Sequence, residues 1–388
     1  MVLNTKYKNL IPNYFTQIRL EIEKHGAINL SEGFTGFHCS NKLVSLVQKH
    51  VSEGLNQYGE AHGERVLREK VAEKVQKLYG HYYNPEKEVT ITAGAAQAIS
   101  TTLSAIIKEG DEVIVFEPAC VNIVPAIKMN GGQPVFIPID KSKFTIDWEQ
   151  VQKMITAKTR MIIINTPHSP SGTVLNELDM LRLQKIITGT NILILSDETF
   201  EHIVFDGESH QSMALYPILT QKSIIVSNFG ETFHVTGWQT GYCLAPENIT
   251  NEIRKIQEIT ISRVNTPFQL AFADFLEYEE EYLKLNEFYQ KKRDLLNNLI
   301  ESSGFVPLFS KGSYFQLMDY SKLSSLNDID FALKLIQEHG VALAPLSIFS
   351  HSKSDQHLLR INFAQPDKVI HNVVQRLLSV TQVHVHNS

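Results

Sequence analysis

The feature that most constrains this chain is a series of short apolar runs rich in β-branched residues: Val89 to Thr92, Val113 to Phe116, Val135 to Ile137, Met161 to Ile164, Ile192 to Leu195 and Ile224 to Val226. Between most of them lie stretches with helical spacing, such as Ala95 to Ile107 and Leu178 to Ile187. Strands apolar on both faces and separated by helices specify a mostly parallel sheet covered by helices on both sides, an α/β domain. Amphipathic segments precede it at Tyr14 to Lys24, Lys42 to Val51 and Glu64 to Tyr79. Long helices are expected after it, over Asn251 to Ser262 and within Phe268 to Ser302, with Pro267 marking the break.

From about Phe305 the pattern shifts to a smaller α+β unit, with segments at Ser313 to Leu317, Asp328 to Glu338, Val341 to Ala344 and Leu358 to Phe363. The expected division is a large domain over 46–290 and a small one formed by 1–45 with 291–388. The tail from Thr381 is expected to fray.

Composition narrows the function classes. Of 388 residues, 43% are hydrophobic and 20% charged, as in an ordinary globular protein, and no stretch is apolar long enough to span a bilayer. Thirty-six basic against 42 acidic residues give a net charge of −6 with no basic run, so neither nucleic acid nor a membrane is expected as a partner. Cys39, Cys120 and Cys243 form no CxxC pair, which points away from a disulfide framework or a zinc site and towards a reducing, cytoplasmic setting. The amino-terminal stretch shows no export signal. Glu198, Glu201 and His202 follow no metal-ligand spacing, so no metal is expected, and no GxGxxG or P-loop supports a nucleotide.

In an open parallel sheet, ligands bind at the carboxyl ends of the strands. Five such ends carry distinctive residues: Thr92 to Ala98, Phe116 to Cys120, Asn165 to Gly172, Ser196 to His202 and Ser227 to Tyr242. Taken with Asn29-Leu-Ser-Glu-Gly-Phe34, Asn56-Gln-Tyr58, Asp197-Glu198, Glu201-His-Ile-Val-Phe-Asp-Gly207, Gly312-Ser-Tyr-Phe-Gln316 and Arg360, these make the chain resemble the fold-type I pyridoxal-phosphate enzymes of aminotransferase class I/II. Within that group it is similar to the methionine and kynurenine aminotransferases over nearly its whole length. The resemblance implies an aspartate aminotransferase-like fold, a homodimer, and an amino-acid-like ligand.

It also implies a set of site residues, and the chain departs from several of them. Where the family places the imine-forming lysine stands Glu231, and no lysine occurs from Ser223 to Arg254. A carboxylate cannot make an imine. Positions that would hold the cofactor phosphate are Ala95, Ala96 and Gln97 at a helix start, Asn228 for a serine, Gln239 for a basic residue, and Tyr58 from a partner subunit. Around the ring, Cys120 stands for a stacking aromatic, Ser169 for an asparagine and Phe200 for a tyrosine, while Asp197 keeps the pyridinium partner.

Arg360 matches the fork that holds a substrate carboxylate, with Gly33, Ser169 and Cys120 beside it. Bland readings stand next to these: Asp197 as a structural loop carboxylate, Glu231 as a solvated residue of an empty pocket, and Cys120 as a small buried hydrophobe. The expectation is therefore an enzyme with Glu231 and Asp197 as its catalytic carboxylates, acting on an amino-acid-like ligand without the family's cofactor. Two alternatives stay open: noncovalent use of the pyridoxamine or pyridoxal form, and a noncatalytic binding protein.

Overall fold

The computed structural model describes residues 14–140 and 144–385. Its strands are β1 (Ile28–Asn29), β2 (Val89–Thr92), β3 (Glu112–Glu117), β4 (Gln133–Pro138), β5 (Thr159–Asn165), β6 (Leu193–Asp197), β7 (Ser223–Asn228), β8 (Gly241–Leu244), β9 (Val306–Pro307), β10 (Phe315–Asp319), β11 (Val341–Ala342), β12 (Ala344–Pro345) and β13 (Leu358–Asn362). Seven of them form the main sheet in the order β2-β8-β7-β6-β5-β3-β4. All neighbours are parallel except β8, which runs antiparallel to both β2 and β7.

The period of two along a strand divides the core into two layers. On β3, Val113 and Val115 pack into one cluster with Leu103 and Ile253, whereas Ile114 and Phe116 face the other with Leu183 and Phe272. Helices supply the cover on each side: Gly94–Ile106 packs on β7, β8 and the Glu247–Thr260 helix, and Arg65–Tyr79 and Asn41–Ser52 pack on Thr266–Phe275.

Strand β8 was not among the expected strands. It has only four residues, Gly-Tyr-Cys-Leu, with no β-branched member, and pairing on both edges rather than propensity makes it a strand. The segment Val341 to Ala344, expected as one strand, is two. Val341–Ala342 pairs in parallel with β1, and Ala344–Pro345 joins a four-stranded antiparallel sheet in the order β12-β13-β10-β9. The helix expected over Asp328 to Glu338 is α-helical to Lys334 and closes in a π-helical turn to His339, ended by Gly340 at φ +64°. The last helix, Asp367–Val385, runs into the tail expected to fray, and residues 386–388 lie outside the described ones, as does most of the amino-terminal stretch read for an export signal. Among the described residues no helix is long and apolar enough to cross a membrane.

Candidate active site

The carboxyl ends of β5 and β6 bring Asn165 and Asp197 into one cleft with Cys120 and Ser169, and Arg360 of β13 reaches Ser169 at its edge. Asn165, the last residue of β5, ties the ends together: its Nδ2 donates to the Asp197 carbonyl at 3.0 Å, and its Oδ1 accepts from the Ser169 N–H at 2.7 Å. Asp197 closes β6. Its Oδ1 accepts from the Thr199 N–H at 3.2 Å and hydroxyl at 2.6 Å, but burial outweighs both bonds and leaves its pKa raised.

Glu231 sits in the short turn Phe229–Thr232 that follows β7. Removal from water, with a smaller contribution from the Asp197 charge, pushes its carboxyl up to about 7. Asn228 donates its side-chain amide to that carboxylate.

Opposite lies Arg360, only 4% exposed. Its Nη1 donates to Ser169 Oγ at 3.2 Å and its Nη2 to the Ser31 carbonyl at 2.6 Å, and its guanidinium lies 3.9 Å from the Phe315 ring centroid. Nε has no partner. Burial lowers the guanidinium to about 10, so it remains a cation at neutral pH.

Cys120 feels the charges of both Asp197 and Arg360, and Tyr314 those of both Glu231 and Arg360. These shared neighbours bring Asp197, Glu231 and Arg360 within reach of one another's charges, and the cleft lined by Asp197, Cys120 and Ser169 has an apolar wall from Phe116, Ile163 and Phe144. The wall continues on the other side, where Phe200 stands edge-on to Tyr314 at 4.9 Å. Tyr314 donates to the Gly33 carbonyl, which sets Gly33 against Tyr314.

Cys120 is exposed, not a small buried hydrophobe. Its surface is reachable through the cleft, yet protein atoms crowd it closely enough that desolvation raises the thiol. Tyr58 is 89% exposed beside Arg263 and Asn265, on a surface separate from the residues that line the cleft.

Two positioning residues were missed, Asn165 and Tyr314. Asn165 could have been found as the polar residue ending an apolar strand, and Tyr314 lies inside the Gly312 to Gln316 motif. A third feature lies behind Phe200. Lys74 Nζ donates to Glu201 Oε1 at 2.7 Å and to the Tyr242 oxygen at 2.9 Å, and Tyr79 donates to Glu201 Oε2 at 2.6 Å. Burial alone would raise Glu201, but the Lys74 ammonium, with hydrogen bonds from Lys74 and Tyr79, outweighs it and holds the carboxylate ionised, far below its usual range.

With this geometry in view, the chain can be placed among known proteins. Residues 26–377 match the model of the family described as aminotransferase class I and II, and the chain belongs to that family. It is 40% identical over 378 residues to a methionine aminotransferase of Escherichia coli, covering 97% of this chain and 98% of that protein. A kynurenine–oxoglutarate transaminase of Dictyostelium discoideum is 30% identical, with 92% of this chain and 91% of that one covered. Among solved structures, the Escherichia coli methionine aminotransferase superposes with a TM-score of 0.95 at 39% identity, covering 98% of this chain and all of that one. The N-succinyldiaminopimelate aminotransferase of Mycobacterium tuberculosis gives 0.94 at 28% identity with the same coverage. The fold is that of the fold-type I, aspartate aminotransferase-like enzymes.

These matches correct two expectations. The chain was expected to work without the family's cofactor, either as a cofactor-independent enzyme or as a noncatalytic binding protein. Close similarity to aminotransferases from end to end indicates an aminotransferase for which a cofactor is expected. The physical reason is that a cofactor site is a sum of separable contacts. Losing the imine position removes one of them, while the strand ends, the helix start, Asp197 and Arg360 stay in place.

The residues present fit a pyridoxal-type cofactor in part. Asp197, ending a central strand with one oxygen held by Thr199, suits a pyridinium nitrogen. The imine attachment does not fit, because the group at its place is the Glu231 carboxyl and no lysine lies between Lys222 and Lys255. The helix start also lacks a cation among its contacts.

Proposed function

We propose that this chain is an amino-acid aminotransferase, in which Arg360 takes the substrate carboxylate and the opposite, acidic side of the cleft takes its ammonium. The carrying observation is a guanidinium 4% exposed, stacked on Phe315 and still holding an unpartnered Nε, across one cleft from Asp197 and Glu231. Opposite charges at the two ends select a zwitterion. The apolar wall under Cys120 suits a side chain that is apolar, sulfur-containing or aromatic, in keeping with relatives named for methionine and kynurenine.

Glu231 accepts a proton from the substrate ammonium at a carboxylate oxygen, with a pKa near the working pH. Asp197 keeps the floor of the cleft acidic, and Phe200 with Tyr314 closes the wall against water. The homodimer belongs to this reading as well: exposed Tyr58 becomes a site residue only when a second copy brings it to its neighbour's cleft. The division into 46–290 and 1–45 with 291–388 also belongs to this reading, with both boundaries falling inside helices, Asn41–Ser52 and Leu285–Ile300.

The test is formation of the 2-oxo acid from methionine, phenylalanine or kynurenine by the purified chain, supplied with pyridoxal or pyridoxal phosphate. Arg360→Ala should weaken the amino acid's apparent affinity by about 2 to 5 kcal/mol, the range for breaking a buried charge pair. Absence of product from every amino acid tried would refute the proposal.

A further inference from the structure

The cleft lined by Asp197, Cys120 and Ser169 has an apolar side made by Ile139, Phe144, Ile146 and Leu175. Its free space is about 40 Å³, which is room for about three or four heavy atoms, since one water needs about 10 to 15 Å³. His168 on the same wall is neutral: burial pushes its imidazole down to about 4, and its Nδ1 is taken up by Ser171 Oγ at 2.6 Å. Such a lining takes an uncharged chain.

A much larger cavity of about 540 Å³ lies next to this one, with Val174, Leu308 and the 68% exposed Phe309 on its wall. The two cavities share Phe144, Ile146, Thr173 and Leu175, so these four residues stand between them. Phe144 is the largest of the four and is only 8% exposed.

The backbone of Phe144 is in the left-handed region at φ +52°, where a bulky residue is strained and glycine is not. Two bonds hold it there: its N–H donates to the Asp140 carbonyl at 2.6 Å, and the Asp140 N–H donates to the Thr145 carbonyl at 3.0 Å. Strain of this kind persists where the surroundings over-determine it, and it points to a task for the side chain. Separating the two cavities is a task that glycine, which would suit the backbone, cannot perform.

We propose that Phe144 determines specificity by closing the side-chain pocket short of the outer cavity, so that the substrate is an amino acid with an unbranched apolar side chain of about methionine's length. Ser169 links the two ends of such a substrate, because it lines the cleft and also accepts from Arg360 Nη1 at 3.2 Å. The inference rests on the aminotransferase reading above and names the substrate class of that same site.

The test compares norleucine with 2-aminooctanoic acid, which is longer by two methylene groups, using calorimetric affinity and the kcat/KM of the full chain supplied with pyridoxal phosphate. The parent should favour norleucine at least tenfold by both measures. Phe144→Gly keeps the left-handed backbone, opens the partition and should cut that preference about tenfold, since each methylene that finds apolar room is worth about fourfold. Ile146→Ala, in the same partition, should cut it about threefold and carries the test if the glycine variant does not fold. A merely destabilised fold lowers both amino acids together and leaves their ratio unchanged. A parent that takes both equally, or a ratio that neither variant moves, would overturn the inference and leave the aminotransferase reading standing. A parent chain that neither binds nor converts any amino acid would overturn that reading, and this inference with it.

Discussion

The guanidinium of Arg360 donates from Nη2 to the carbonyl of Ser31, 2.6 Å away and 329 residues earlier in the chain. The amino-terminal segment thereby fixes the cation that the far end of the chain supplies, leaving Nε free and Nη1 on Ser169. Lysine in this place would keep a charge but lose the planar fork and the stack on Phe315. Arg360→Lys is expected to cost about 1.5 to 3 kcal/mol in amino-acid affinity, as for a lost charge-assisted bond. Titration of the amino acid by calorimetry checks this, and a variant that binds as well as the parent would remove the fork from the account.

Glu231 makes stability depend on pH in a definite direction. Its carboxyl rises from 4.5 to about 7 on folding, so the folded state binds the proton more tightly. Its favourable contribution is complete below pH 4.5 and is lost as the pH rises towards 7, by at most about 3 kcal/mol. Thermal unfolding at pH 5 and pH 8 should therefore differ less in Glu231→Gln than in the parent chain. Equal differences in the two proteins would mean that the carboxyl titrates at its ordinary value.

The pair Lys74 and Glu201 is buried on both sides, with side chains 6% and 4% exposed. Removing the cation leaves an uncompensated carboxylate among Tyr79, Ser227 and Tyr242. Lys74→Met is expected to destabilise the fold by about 3 to 5 kcal/mol. Chemical denaturation measures it, and a loss below about 1 kcal/mol would show that Glu201 simply takes up a proton.

The sheet was legible because its strands are apolar on both faces: the four residues of β2 and the six of β7 are all buried, and both ends of β2 were read correctly. Strand β8 was not legible, since nothing in Gly-Tyr-Cys-Leu reveals that two edges await it. Asp197 and Arg360 could be named because each closes or occupies a strand in a recognisable motif. Asn165 and Tyr314 stood in motifs that were read, but the backbone carbonyls of Asp197 and Gly33 that they hold leave no trace in a sequence, so their positioning roles were not. The error about the cofactor had a different root: the losses at Glu231, Asn228 and Gln239 were given more weight than the surviving strand ends, Asp197 and Arg360, and similarity along the whole chain reverses that weighting.

The most direct measurement of the central claim is the pH dependence of 2-oxo acid formation from an amino acid, in the parent chain and in Glu231→Gln. If the Glu231 carboxylate receives the ammonium proton, the parent's rate rises with pH through an apparent pKa near 7, and the variant loses both that step and about 100-fold or more in rate. A parent chain that forms no oxo acid at any pH, or a variant with an unchanged profile, would contradict the account.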